Sequence, residues 1–215
     1  MQTMRSIIDF TIAFLALTVT SPIWITVAIA IVIDSPGTPF YRARRIGKDG
    51  KPFHMWKFRT MVLNARQLGA AITSDGDPRM TRVGKFLRRS KLDELPQFVN
   101  VLLGDMSLVG PRPEAPEIVA RYTPAQARVL AAKPGITGRS QLASGEESDA
   151  IPSGADAQQF YMDHLMDGKL SADIEYLHSR TLVSDARIVV DTAFYVLRSL
   201  FAPFRKVRRE ASQLP

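Results

Sequence analysis

The stretch Arg88-Arg-Ser-Lys-Leu-Asp93-Glu94-Leu-Pro-Gln97 sets two adjacent carboxylates directly behind a run of cations. The chain has no cysteine, so disulfides, thiolate nucleophiles and cysteine-ligated metals are excluded, and any covalent chemistry falls to a carboxylate or a hydroxyl. Leu92, Leu95, Phe98, Val99 and Leu102 recur at helical spacing, and Ser90 with Asp93 forms a Ser-x-x-Asp capping pattern that puts both acids in a first helical turn. Helix N-termini attract anions, so by themselves the two acids also read as plain caps. Pro96 denies the helix a hydrogen bond and predicts an irregular turn around the carboxylates. Neighbouring side chains on a helix point about 100° apart, which predicts distinct roles for Asp93 and Glu94.

Cations recur where the chain must turn. Arg112 stands between Pro111 and Pro113, which fix the backbone and pre-orient a guanidinium suited to bidentate phosphate contact; an ordinary rigid turn is the alternative. Phe40-Tyr41 and Phe53 to Phe58 flank Asp49-Gly50, a hairpin signal. On the second strand Lys57 and Arg59 share one face and Trp56 and Phe58 the other, so one face can pack while the other binds phosphate or simply guards a solvated edge. Asp75-Gly-Asp-Pro78 is turn chemistry, followed by a helix carrying Arg82, Lys85, Arg88 and Arg89. Lys133-Pro-Gly-Ile-Thr-Gly138 reads as another turn with Arg139 beyond it, and residues 144–156 as a loop.

These groups need elements to hold them. With 215 residues, 46% of them hydrophobic, the chain can bury one sizeable core or two small ones. Its 28 lysines and arginines against 21 acids give +7, which suits an anionic partner: nucleic acid, phospholipid or a phosphorylated substrate. From Phe10 to Ile33 there are 24 residues without a charge, and about 20 apolar residues cross a bilayer. A cleaved signal peptide is disfavoured, because the Ala28-Ile29-Ala30 tripeptide is followed by more apolar sequence. Ser21-Pro22 divides the run into halves of 12 residues, each about 18 Å long and too short to cross. Two topologies follow: a kinked single span, which hydropathy favours, or a re-entrant hairpin. Arg42, Arg44, Arg45, Lys48 and Lys51 follow the run and only Arg5 precedes it, so either way the globular part is expected in the cytoplasm. The segment Asp185 to Phe204 and its basic tail, Arg205 to Arg209, read equally as an interfacial helix on anionic headgroups or as a core helix with a solvated end.

Taken together, Ser21-Pro22, Lys57-Phe-Arg-Thr-Met61, Thr81-Arg-Val-Gly-Lys85, Leu92-Asp-Glu-Leu-Pro-Gln97, Gly104-Asp-Met-Ser-Leu-Val-Gly-Pro-Arg-Pro113 and Lys133-Pro-Gly-Ile-Thr-Gly138, in this order, resemble the bacterial sugar transferases, the monotopic polyprenyl-phosphate phosphoglycosyl transferases. The match runs from about Met4 to Leu200; it departs at Arg139, where the family usually has an apolar residue, and from Ser144 to Lys169. The resemblance implies an α+β, mainly helical fold: a re-entrant membrane helix broken at Ser21-Pro22 (1–36), a cytoplasmic-face catalytic domain with a small β-hairpin and amphipathic interfacial helices (37–204), and a basic tail (205–215). It implies Asp93 and Glu94 as catalytic dyad; because the charge on a diphosphate must be shielded, Asp93 is expected as the nucleophile beside Mg²⁺, with Glu94 either helping to hold the metal or orienting the incoming phosphate. Lys57, Arg59, Arg88, Arg112 and Arg139 become the candidates for substrate contact. The implied activity moves a sugar phosphate from a nucleotide sugar, UDP-linked, to undecaprenyl phosphate at the bacterial inner membrane, through an aspartyl-phosphosugar, to start exopolysaccharide, capsule, O-antigen or glycoprotein glycan assembly. A membrane-tethered scaffold without catalysis is the alternative. No nucleic-acid partner is expected, since no DNA- or RNA-binding signature is present, and a homo-oligomer is allowed.

Overall fold

The computed structural model describes residues 2–65, 67–68, 77–144, 150–152 and 155–201; most of the 144–156 loop, part of the Asp75–Pro78 turn and the basic tail lie outside them. The described residues are mostly helical with two small sheets. The apolar run forms one helix, α1 (Gln2–Asp34). It is continuous through Ser21-Pro22, so two separate halves are not seen. Pro22 has no N–H to give the Thr18 carbonyl, and the Ser21 hydroxyl donates to that oxygen instead at 2.8 Å. Thr20 and Thr26 donate in the same way to Ala16 and Pro22, at 2.7 and 3.2 Å. A helix that keeps its carbonyls occupied in this way can tolerate proline in lipid.

Much of α1 is bare, with Val19 75% and Ile25 65% exposed. Yet both ends lie on the same globular body. Near the start, Asp9 accepts from Ser107 Oγ at 2.6 Å, and Ala13 is buried among Ala43, Met55, Val101 and Met106. Near the end, Val27 and Ile31 pack on Phe58 and Leu87, and Asp34 Oδ2 accepts from the Val83 amide at 2.9 Å.

The hairpin is present: β1 (Phe40–Ile46) pairs antiparallel with β2 (Pro52–Phe58), Phe40 opposite Phe58 and Ile46 opposite Pro52. Asp49 and Gly50, at φ +57° and +74°, make the turn. Then α2 (Arg82–Arg89) starts at Thr81, whose side chain accepts from the Gly84 amide, and it passes close to Thr60, just beyond the end of β2. A Cβ on Gly84 would lie 1.9 Å from the Thr60 carbonyl oxygen, so only glycine fits there.

Next comes α3 (Gln97–Leu103), ended by Gly104 at φ +83°. It is pinned to the free edge of β2 by the fully buried Asn100, which accepts from the Trp56 amide at 2.9 Å and donates to the His54 carbonyl at 2.8 Å and to Asp105 Oδ2 at 3.2 Å. The Lys133–Gly138 segment, expected as a turn, contains β4 (Gly135–Thr137), which pairs in parallel with β3 (Ser107–Val109). Gly110 and Gly135 let the backbones touch, since a Cβ on Gly135 would sit 2.1 Å from the Gly110 nitrogen. The short helices α4 (Pro116–Val119), α5 (Arg139–Ser144) and α6 (Ala157–Phe160) lead to α7 (Met166–Ser179) and α8 (Leu182–Phe201). A second core of Ile118, Val129, Tyr161, Met166 and Leu170 lies under α7.

Candidate active site

Ser90 does not cap the dyad's helix. It closes α2, and its hydroxyl donates back to the Phe86 and Leu87 carbonyls at 2.8 and 3.1 Å. Lys91 then takes the left-handed conformation, φ +59°, and Leu92–Glu94 form a single 3₁₀ turn before Pro96 opens α3. The irregular turn expected from Pro96 is therefore present, with the acids on it rather than in the first turn of α3. An αL lysine and a tight turn swing the carboxylates out of the helical register and into a cleft.

Lys57 Nζ lies 2.8 Å from Glu94 Oε1 and 3.6 Å from Asp93 Oδ2, and Arg112 Nη1 approaches Glu94 Oε1 at 3.6 Å. Asp93 is buried, and its Oδ1 has no hydrogen-bond partner among the described residues. Burial pushes the Asp93 carboxyl up, against the pull of Lys57 and with the push of the Glu94 charge. Burial acts the same way on Glu94, but Lys57, Arg112 and Lys91 outweigh it and hold that carboxyl far below the usual range. The two acids thus differ, as their directions on the chain predict: Glu94 is the clamped anion and Asp93 the under-partnered one.

The surrounding cleft, about 220 Å³, is lined by Lys57, Arg88, Lys91, Arg112 and Lys169 around the two acids, an excess of three positive charges. The structure brings Lys57, Arg88 and Arg112 together with the dyad, but not the other two candidates. Arg59 lies beyond the end of β2, where strand alternation no longer applies. It is buried, donates to the Pro36 carbonyl at 3.1 Å and to the Ser35 carbonyl, and so caps the C-terminal end of α1. Arg139 is exposed at the start of α5, outside the cleft.

Several lining groups escape a motif-based reading. Lys91 sits beside the dyad and was reachable from that adjacency. Lys169 is buried with Nζ 5.2 Å from the Tyr161 ring centroid, and comes from α7, where no sequence motif marks it. Gln141 Nε2 is a buried donor without a partner among the described residues. Thr137 and Thr192 share a 2.7 Å hydrogen bond and bring α8 over the cleft. Asp173, buried on α7, accepts from Ser140 N and Oγ at 3.1 and 2.8 Å and from the Arg112 backbone, which sets the arginine's position.

Among the described residues there is no group of three or more His, Asp or Glu that could hold a metal by itself. Magnesium sites on phosphorylated substrates use one or two carboxylates and draw the other ligands from phosphate and water. Asp93 and Glu94, with the orphaned Asp93 Oδ1, fit that demand.

The fold and this site set a carboxylate dyad among converging cations in a chain with one long, bare apolar helix, and the chain belongs to the bacterial sugar transferase family, whose profile matches residues 1–199. It is similar to the UDP-glucose:undecaprenyl-phosphate glucose-1-phosphate transferase of Escherichia coli strain K12, 37% identical over 86% of this chain and 38% of the relative. It is also similar to the UDP-N-acetylgalactosamine-undecaprenyl-phosphate N-acetylgalactosaminephosphotransferase of Aeromonas hydrophila, 37% identical over 88% of this chain and 42% of that protein. A putative undecaprenyl-phosphate N-acetylgalactosaminyl 1-phosphate transferase of Bacillus subtilis strain 168 is 41% identical over 66% of this chain and 74% of its own length. The chain spans about two-fifths of the first two relatives.

Proposed function

We propose that this chain is a phosphoglycosyl transferase that moves a sugar phosphate from a UDP-sugar to undecaprenyl phosphate and so starts the assembly of a surface glycan. The observation that carries the reading is Asp93: a buried carboxylate with one oxygen unpartnered among the described residues, in a cleft with excess positive charge, on a turn whose Leu92 and Leu95 pack against the long apolar helix. An Asp93 oxygen attacks the sugar-bearing phosphorus, the bond to the nucleoside monophosphate breaks, and its electron pair leaves on that phosphate's oxygen. An oxygen of the polyprenyl phosphate then attacks the same phosphorus and expels the Asp93 carboxylate. Lys57 and Arg112 hold Glu94, and with Arg88, Lys91 and Lys169 they offset the charge of the diphosphate. Gln141 offers its free donor to the sugar or nucleotide. Mg²⁺ bound by Asp93 and Glu94 would supply further charge neutralisation on the phosphate oxygens.

We also propose that α1 dips into one leaflet from the cytoplasmic face of the inner membrane and leaves by the same side. Both ends of α1 bond to one globular body, through Asp9 and Asp34, whereas the ends of a spanning helix stand on opposite sides of about 30 Å of hydrocarbon. On α8, Ile188 packs inward while Val190, Phe194 and Leu197 are exposed, as an interfacial helix requires. Cysteines at residues 3 and 48 should both be labelled from the cytoplasmic side; periplasmic labelling of residue 3 would mean a span. For the activity, purified chain is incubated with undecaprenyl phosphate and a panel of UDP-sugars. One sugar nucleotide should yield uridine monophosphate and a lipid-linked sugar, and absence of lipid product from every donor would favour the scaffold.

A further inference from the structure

A second cavity, about 490 Å³, opens at the N-terminal end of α1 and shares no residue with the dyad's cleft. Its walls carry Arg5, Lys48, Arg128, Lys133 and Arg180 with His178, against the single carboxylate of Asp9. That carboxylate is already committed to Ser107 Oγ and the Leu108 amide, at 2.6 and 3.3 Å. Arg5 and Arg180 are paired with Asp185 at 2.9 and 3.0 Å. Lys48, Arg128 and Lys133 have no ion-pair partner among the described residues. They come from three separate parts of the chain, the hairpin turn, the 3₁₀ segment Gln126–Ala131 and the approach to β4. Lys48 and Lys133 are half-buried and Arg128 is exposed, and three like charges on the walls of one concavity give it a positive potential that favours an anion there.

We propose that this cavity binds the phosphate of an anionic phospholipid headgroup. Along α1, Ser6 and Asp9 face the cavity while Ile7 and Phe10, 63% and 53% exposed, stand beside it, so an acyl chain can run along the apolar side as the phosphate reaches the cations. Ile174 and Leu177 add apolar wall at the same end. A free phosphate would use the cations and leave that apolar flank uncovered. The lipid would bridge α1, the hairpin turn and the end of α7, and would dock the body against the membrane. The lipid source rests on the membrane reading of α1; the anion site does not.

The test uses the full chain in neutral detergent and counts bound ligand by native mass spectrometry, with phosphatidylglycerol, phosphatidylcholine of the same acyl chains, and inorganic phosphate. One cation near anionic lipid is worth about fivefold in affinity, so R128Q/K133Q should bind phosphatidylglycerol about 25-fold more weakly. Phosphatidylcholine binding should be equal in both proteins, and so should melting temperature. Equal retention of the two lipids by wild type, or unchanged phosphatidylglycerol binding by the variant, overturns the site. Inorganic phosphate that displaces phosphatidylglycerol at equal concentration overturns the lipid and leaves a phosphate site. A wild-type chain that stays monodisperse without detergent sinks the membrane reading instead, while selective loss of phosphatidylglycerol in the variant would still uphold the cavity.

Discussion

Asn100 ties α3, which follows the dyad's turn, to the hairpin, and its replacement has a calculable effect. The side chain is fully buried and satisfies the Trp56 amide and the His54 carbonyl on the open edge of β2. Asn100→Ala leaves both part-buried backbone groups without their partner, and a buried group left unpaired costs about 1–3 kcal/mol. Taking about 1.5 kcal/mol for each, the loss is about 3 kcal/mol, and at about 2–4 °C per kcal/mol for a chain of this size the melting temperature should fall by about 6–12 °C. The Lys57 ammonium lies one residue beyond Trp56, so the Lys57–Glu94 contact should loosen and activity should fall with stability. Asn100→Asp keeps an acceptor for Trp56 but sets a second carboxylate against Asp105, and should be at least as damaging. Leu103→Ala, on the same helix but 66% exposed, is the control and should be near neutral. Thermal unfolding in detergent, followed by circular dichroism, reads all three. An Asn100→Ala protein that melts with the Leu103→Ala control refutes the pinning of α3 to β2.

Asp93→Asn should be inactive yet more stable than wild type. The folded Asp93 has a raised pKa, so its contribution is full below the ordinary carboxylate range and is lost as pH rises through the folded value; the variant's advantage should vanish below about pH 4 and grow toward neutrality in a pH series of melting curves. Arg59→Gln should lower the melting temperature, because two carbonyls at the end of α1 lose their donor, and leave KM for the nucleotide sugar unchanged. Arg112→Lys should do the reverse, cutting kcat/KM about tenfold or more at constant stability, since lysine keeps the charge and loses the planar fork.

The dyad is legible from sequence because Asp93-Glu94, Pro96 and the preceding cations are contiguous, and local chain chemistry decides their geometry. The same holds for the hairpin, whose Asp49-Gly50 turn and alternating strands need no distant partner. Arg59 shows the limit of that reasoning: alternation placed it beside Lys57, but the strand ends at Phe58 and the guanidinium turns to the end of α1. Ser90 fails for a similar reason, since one hydroxyl can cap a helix behind it as well as one ahead. The parallel pairing of β3 with β4 rests on backbone contact between segments 25 residues apart or more, which local patterns of turn residues do not encode. Lys169 and Gln141 reach the cleft, and Asp173 reaches Ser140 and the Arg112 backbone, only through the packing of α5 and α7, and nothing in their immediate neighbours marks them.

The central claim is that Asp93 forms a covalent bond to the sugar phosphate, and it is tested most directly by exposing the purified chain to nucleotide sugar with no lipid acceptor. The expected result is at most one equivalent of nucleoside monophosphate per chain, and a peptide containing Asp93 heavier by the sugar phosphate. Asp93→Asn should give neither, while Glu94→Gln should retain a slow adduct. Substantial turnover by Asp93→Asn, or product that forms only when lipid and nucleotide sugar are present together with no adduct at any time, would contradict the nucleophile and leave direct attack by the lipid phosphate.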